Sequence, residues 1–447
     1  MLDKIIKHKK DFKTLEIGQY CFYIGTILLS TTILISGLFF FISLVISFIS
    51  KNHSFKKDNW NLSLFIFSII LVLNAIHISL IENNNSFYTL LRDLSWDSSA
   101  VWISLFNWIP YFLVFSGMQI YLKTEVQRTR FAKCLFAGII PVILSLLLQK
   151  WFQITGPFIF LNGLIVFYLK PIEALGGFAG IFNNPNYAGL WLTCSLPFTF
   201  AILKNHKRNK LKLTFIITII ISTIYCILST NSRNSFLGII ISTSIMLGIK
   251  FLIIALLVLG FLYFILLELS TFSFLGLLGI EEILPKTIFN KLFQTNYLSK
   301  LQFSRIDIWA KAIKLIMEKP LLGWGAATFP ILYSIRGGIE NAQHTHSMPL
   351  EIAQTNGIPA AIILLSFVTF LSLKSFKVVY SKNRKTSSNI NKAWTTSFLI
   401  IVISHISDVT YYEGRLSLLI WILMAGLKSI IDEEKNILTL KKVQKSK

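Results

Sequence analysis

Tyr20 to Ser50 reads YCFYIGTILLSTTILISGLFFFISLVISFIS, a run of 31 residues without a charged side chain. A helix rises about 1.5 Å per residue, and roughly 20 residues cross a bilayer once. The run is therefore too long for one crossing, and we read it as two short membrane helices divided near Ser36-Gly37. It is also too long for the core of a signal peptide and lacks a small-residue cleavage site, so it is expected to be retained. Comparable runs recur along the chain: Leu62–Ile81, Ala100–Leu122 with Pro110 as a kink, Cys134–Gln149, Tyr187–Leu203, Leu211–Ser229, Ser235–Ile249, Phe251–Leu267, Pro349–Leu373 with Pro359 inside it, Ala393–Ile406 and Leu416–Ile431. They are continuous rather than alternating, which selects helices over a barrel. With 54% hydrophobic residues and a mean hydropathy of +0.64, the chain carries more apolar surface than a soluble core can hide. The expected fold is all-α. It is a polytopic integral membrane protein of about twelve transmembrane helices, forming one domain over residues 1–447, with a long loop, residues 268–345, between spans nine and ten.

The formal charge of +22 raises the question of nucleic acid. When the spans are alternated from a cytoplasmic N-terminus, 30 of the 43 lysines and arginines fall in segments on the cytoplasmic side. That asymmetry orients a membrane protein and brings its basic loops to anionic lipid heads. No basic patch with interleaved aromatics lies outside the spans, so no nucleic-acid partner is expected. Both termini are expected in the cytoplasm. Cys21, Cys134, Cys194 and Cys226 all lie in apolar runs without metal-site spacing and read as packing residues.

The charges expected on the opposite face gather at helix ends. Arg233 occupies a turn of a few residues between two apolar helices. Its planar fork of donors matches phosphate oxygens; the alternative is a guanidinium snorkelling to lipid phosphate. Ile306, Trp309, Ile313 and Ile316 recur at helical spacing in the long loop, with Arg305, Asp307, Lys311, Lys314 and Glu318 mostly on other faces. This predicts an amphipathic helix lying on the membrane, stopped by Pro320 and followed by a turn at Gly323-Trp324-Gly325. Gln343-His344-Thr345-His346-Ser347 then leads into the tenth span. A His-x-His pair suits either acid–base work or a metal. Few further ligands lie near it in sequence, so no metal is expected. Asp408, at the outer end of the eleventh span, is an ion-pair partner of nearby Arg415, a second base, or a group that orients an arginine or the acceptor sugar. The aromatic segment 150–186 is expected at the membrane interface.

Several of these stretches together resemble the bacterial O-antigen ligase and polymerase superfamily. His346-Ser347, nine residues, then Gly357 resembles that family's histidine motif, with Ala360 where the family has a further glycine. Ser304-Arg305-Ile306-Asp307-Ile308-Trp309, followed by Lys319-Pro320-Leu321-Leu322-Gly323-Trp324-Gly325, is similar to its Arg-Trp helix and Pro-Leu-Leu-Gly turn. Ser232-Arg233-Asn234-Ser235 resembles its Ser-Arg-Ser turn, and Phe182-Asn183-Asn184-Pro185-Asn186 its Asn-Pro-Asn segment. The matches span residues 180–360 in the family's order. The resemblance implies transfer of a glycan from an undecaprenyl diphosphate carrier at the periplasmic face of the bacterial inner membrane. It implies an inverting, metal-independent reaction without a cofactor, and an acceptor hydroxyl on lipid A-core, another glycan or a protein. His346 would be the general base, and Arg233 and Arg305 would hold the diphosphate. By position at the same face rather than by motif, His344, Asp408 and Arg415 are expected to complete the substrate site. Within the family, a polymerase extending the carrier-linked glycan is the alternative to a ligase. Outside the enzyme class stands a transporter, such as an inorganic-carbon permease, for which the mid-span polar groups are few, mainly Asn74, His77 and Asn107.

Overall fold

The computed structural model describes residues 2–50, 58–83, 85–171, 176–205, 209–254, 256–257, 295–338, 342–381 and 388–445. Most of the expected ninth span and the first part of the long loop lie outside these residues. The described chain is almost wholly helical: α1 (Leu2–Leu28), α2 (Ile33–Ile49), α3 (Asn59–Ile81), α4 (Ser86–Asp93), α5 (Ser99–Ser104), α6 (Ile109–Met118), α7 (Glu125–Trp151), α8 (Pro185–Asn205), α9 (Lys210–Ser229), α10 (Arg233–Met246), α11 (Thr295–Glu318), α12 (Phe329–Ile335), α13 (Met348–Asn356), α14 (Ile358–Tyr380), α15 (Asn389–Ile406) and α16 (Gly414–Lys445). Among the described residues, six helical stretches are long and apolar enough to cross a membrane: Asn59–Ile81, Ser99–Tyr121, Glu125–Trp151, Lys210–Ser229, Ile358–Tyr380 and Gly414–Thr439. The chain is a multi-pass membrane protein. The outward faces of these helices are apolar, with Phe65, Leu73, Ile221, Ile362 and Phe370 all exposed, because lipid rather than water covers them.

Local sequence sets the helix starts. Asp58, Asn85, Asn209 and Ser388 each accept a hydrogen bond from a backbone N–H of the first turn they precede, and Thr124 with Gln127 forms a capping box. α8 is buried on every side from Ala188 to Ile202 and forms the axis of the bundle. It packs against α7, α9, α10 and α15, as expected of a helix apolar around its whole circumference. Small and hydroxyl residues bring neighbours close. Ser36 donates to the Gly25 carbonyl at 2.7 Å, Ser47 to Gly117 at 2.7 Å, Ser30 to Gly138 at 2.7 Å and Ser397 to Cys194 at 2.6 Å. Where lipid removes the hydrophobic drive between helices, such contacts carry the association.

Four boundaries differ from the sequence reading. The Tyr20–Ser50 run turns at residues 29–32, not at Ser36-Gly37; Ser36 lies inside α2 with its hydroxyl satisfied by α1. The expected tenth span is two helices, α13 and α14, divided at Gly357 (φ +88°). A Cβ there would sit 2.1 Å from the Leu321 carbonyl oxygen, so the close approach of the Pro320–Gly325 turn demands glycine. The segment after α7 contains a short antiparallel hairpin, β1 (Phe158–Phe160) with β2 (Ile165–Phe167), which the all-α reading did not include. Finally, the apolar stripe assigned to α11 is divided. Ile306 and Ile313 face outward, whereas Ile316 turns inward beside a second stripe, Ile308, Ala312 and Leu315. That second stripe packs with Trp324, Phe329, Leu332 and Tyr333 in a small core separate from the main one.

Candidate active site

Arg233, Arg305, His344, His346 and Asp408 come from four distant parts of the chain, and they meet at one end of the bundle. Arg233 is the first residue of α10, and its side chain is exposed. Ser232 caps that helix by accepting from the Ser235 N–H at 3.4 Å. The turn is fastened to the loop after α15 by Ser407, which donates to Asn234 at 2.9 Å. Asp408 follows immediately and is buried (4% exposed). Its Oδ1 accepts from the Val409 N–H at 2.8 Å, and the Asn186 side chain, from the first turn of α8, donates to it. Arg305 arrives on α11. Four residues on, Trp309 donates its indole N–H to the Thr345 carbonyl at 3.0 Å, tying the arginine helix to the histidine loop.

The two imidazoles lie with centroids 4.3 Å apart and rings 64° to one another, and the His346 N–H donates to His344 Nδ1 at 3.2 Å. His346 holds φ +51°, a conformation uncommon for a residue with a side chain and found preferentially at sites the surrounding fold over-determines.

The electrostatics are those of a cationic cleft. Burial first, and then the Arg305 charge, lowers the His346 pKa to about 4. His344 is lowered to about 3 by burial, by His346 and by Arg305. Both rings are neutral in the free protein at ordinary pH. Arg305 is itself destabilised as a cation, first by burial and then by Arg233, with Asp408 opposing. Burial raises the Asp408 carboxyl, while the Val409 N–H, Arg305 and Asn186 hold it back. Two guanidinium groups in each other's field leave a demand for negative charge that one buried carboxylate does not fill.

The ligating atoms of His344, His346 and Asp408 lie within 4.8 Å of one another, a grouping of the kind that binds a divalent ion. The adjacent Arg305 charge works against a cation and for an anion.

Arg415 is not drawn into this cluster. Its Nε donates to Glu413 Oε1 at 2.6 Å and its Nη2 to Oε2 at 3.2 Å, while Nη1 reaches the carbonyls of Ser30 at 3.2 Å and Ile181 at 3.4 Å. Its guanidinium carbon lies 4.0 Å from the centroid of the Phe182 ring. Its ion-pair partner is Glu413 rather than Asp408. Asn74, which the transporter alternative invoked, donates its amide to the Leu322 carbonyl and fastens α3 to the Pro320–Gly325 turn.

Sequence reasoning passed over Asn186 and Glu351. Asn186 belongs to a quoted motif but carried no role. Glu351 sits three residues into an expected apolar span, where the cost of inserting a carboxylate was the available signal.

Fold and site together define a multi-pass helical membrane protein with a cluster of ionisable groups built from loops and helix ends. Residues 215–365 match the family model described as O-antigen ligase, which makes this segment similar to that superfamily. The matched segment contains Arg233, Arg305, His344 and His346; Asn186 and Asp408 lie outside it. No curated protein matches the chain.

Proposed function

We propose that this protein transfers a glycan from a polyprenyl diphosphate carrier to an acceptor hydroxyl at the non-cytoplasmic, periplasmic face of a bacterial inner membrane. The observation that carries the reading is the pairing of Arg233 and Arg305 beside two neutral imidazoles. Guanidinium charge with no ion pair among the described residues fits a diphosphate, and a neutral imidazole fits a proton acceptor.

In this mechanism Arg233 and Arg305 hold the diphosphate. The acceptor oxygen attacks the anomeric carbon from the side opposite the leaving group, so configuration inverts. The bond from the anomeric carbon to the phosphate oxygen breaks, and its electron pair leaves on the diphosphate, where the guanidiniums stabilise the growing charge. The acceptor proton passes to His346. The diphosphate offsets the Arg305 field, so His346 becomes more basic when the donor is bound. Asp408 steadies Arg305, and His344 lies in the same cleft as a substrate contact. Neither a metal nor a cofactor takes part in any step.

The His-Ser-x9-Gly pattern favours a ligase, with lipid A-core or a similar glycan as acceptor, over a polymerase. Reconstitution in lipid with a polyprenyl diphosphate bearing a labelled oligosaccharide tests this. A label moved to a separate acceptor supports the ligase, and a lengthened carrier-linked glycan supports the polymerase. Uptake of solute without transfer of label would sink both in favour of a permease.

A further inference from the structure

The residue between the two histidines is held more firmly than either of them. Thr345 is fully buried (0% exposed), and all three of its polar groups are engaged. Its N–H donates to Glu351 Oε2 at 2.8 Å, its carbonyl accepts from Trp309 Nε1 at 3.0 Å, and its hydroxyl donates to the Ser347 carbonyl at 2.9 Å. His344 and His346 flank this anchor, and both are only partly buried. The position of each imidazole therefore depends on what fixes Thr345.

Glu351 is the part of that anchor with a second connection. It is buried (3% exposed) in α13, and no ion pair reaches it among the described residues. Its Oε1 accepts from the Tyr412 hydroxyl at 2.8 Å, and the Tyr411 hydroxyl donates to that of Tyr412 at 2.9 Å. The Tyr412 ring stacks on His344, with centroids 6.3 Å apart and planes 28° from parallel. One carboxylate thus joins the histidine loop to the loop that carries Asp408, four residues before Tyr412. Both of its partners donate to it, one to each carboxylate oxygen. A side chain chosen for packing alone would not put a carboxylate where burial opposes its charge.

We propose that Glu351 is a positioning residue for the transfer reaction: by holding the Thr345 N–H and the Tyr412 hydroxyl together, it sets where the His346 ring meets the acceptor hydroxyl. The catalytic part of this assignment rests on the glycan-transfer reading, whereas the anchoring part does not. Glutamine offers one acceptor oxygen, which can keep the Thr345 N–H. A tyrosine hydroxyl can turn to accept from the amide, so glutamine retains part of the link and alanine retains none.

The test uses the full chain in lipid nanodiscs, as wild type, Glu351→Gln, Glu351→Ala and Tyr412→Phe. Transfer is measured with a polyprenyl diphosphate bearing a labelled oligosaccharide and the acceptor that the wild type uses. In parallel, diethyl pyrocarbonate modification of His344 and His346 is followed by mass spectrometry, without substrate. Misplacement of a reacting group by about 1 Å costs on the order of 100-fold in rate. Glu351→Ala is expected to lose about that much kcat with donor KM unchanged, and its histidines are expected to modify several-fold faster. Glu351→Gln and Tyr412→Phe should fall between alanine and wild type in both measurements. A Glu351→Ala protein with wild-type histidine reactivity overturns the proposal, whether or not its kcat falls. So does a glutamine variant as impaired as alanine. If the alanine variant fails to elute as a folded species, unchanged histidine reactivity in Glu351→Gln overturns it instead. If the wild type transfers label to no acceptor, the glycan-transfer reading fails, and the modification rates still decide whether Glu351 anchors the loop.

Discussion

Two pairs of arginines in this molecule meet opposite fates. Arg128 and Arg415 are buried and saturated. Arg128 bonds Asn391 at 2.9 Å, the Leu122 carbonyl at 2.8 Å and Glu433, while Arg415 is clasped by Glu413 and two backbone carbonyls. Arg233 and Arg305 instead lie in each other's field, and Asp408, the acid that opposes this at Arg305, is itself pushed toward its neutral form by burial. A guanidinium whose donors are all spent holds helices together and can do little else. A guanidinium left in surplus positive charge is poised for an anion that arrives from outside. Sequence position alone does not separate the two kinds, since Arg233 and Arg415 both sit at the first turn of an apolar helix.

The comparison can be broken most sharply at the base beside the surplus pair. His346→Ala is expected to lose about 10²- to 10⁴-fold in transfer, the span of general acid–base catalysis, with unchanged membrane insertion and melting. Transfer at the wild-type rate would remove His346 as the proton acceptor. At the saturated arginines the expected loss is in stability. Arg415→Ala strands the buried Glu413 carboxylate and should cost about 3–5 kcal/mol, read as a drop in thermal unfolding midpoint in detergent. Arg233→Lys should leave that midpoint unchanged and lower kcat/KM by about 10-fold or more, because a point charge replaces a two-pronged donor. If Arg233→Lys melts early and Arg415→Ala keeps its midpoint, the division between the two pairs is mistaken.

The pH dependence sharpens the same contrast. His346 in the free protein sits at about 4, below its ordinary value of 6.5. It is therefore unprotonated above that pH, and the acid limb of kcat/KM should lie near pH 4 rather than near pH 6.5. Bound diphosphate counters Arg305, so the acid limb of kcat should lie at higher pH than that of kcat/KM. Stability follows the same window. The unfolded chain binds the proton more readily than the folded one, so stability falls as pH drops from 6.5 toward 4. The smallest expected effect is that of a chelator, which should leave transfer unchanged. Loss of transfer in chelator, restored by a divalent ion, would reassign His344, His346 and Asp408 as ligands.

Much of the site could be read before any coordinates. Arg233, Arg305, His346 and Asp408 stand out because ionisable groups are costly inside lipid, so those expected on the opposite face gather at helix ends. Their meeting follows from helices that begin or end at one face of a bundle. What stayed hidden was local geometry. Gly357 lies in a run that is apolar on both sides, so periodicity carried the tenth span straight through a break that only backbone conformation reveals. Glu351 vanished into that span for the same reason. Arg415 was legible as a charge and illegible as a partner, because Glu413 and Asp408 are both within a few residues of it and only burial decides between them. On α11, spacing found the outward stripe. It did not find that Ile308, Ala312 and Leu315, one helical step round, pack into a core of their own.

The turn at Pro320–Gly325 lies along the break at Gly357 like a short strand. The Trp324 N–H donates to the Gln354 carbonyl at 2.8 Å, the Gly325 N–H to Thr355 at 3.0 Å and the Ile358 N–H to Pro320 at 2.7 Å. This seam makes the Arg305 helix and the Glu351 helix a single mechanical body. Because not even a methyl group fits between Leu321 and Gly357, the two helices must shift together or not at all.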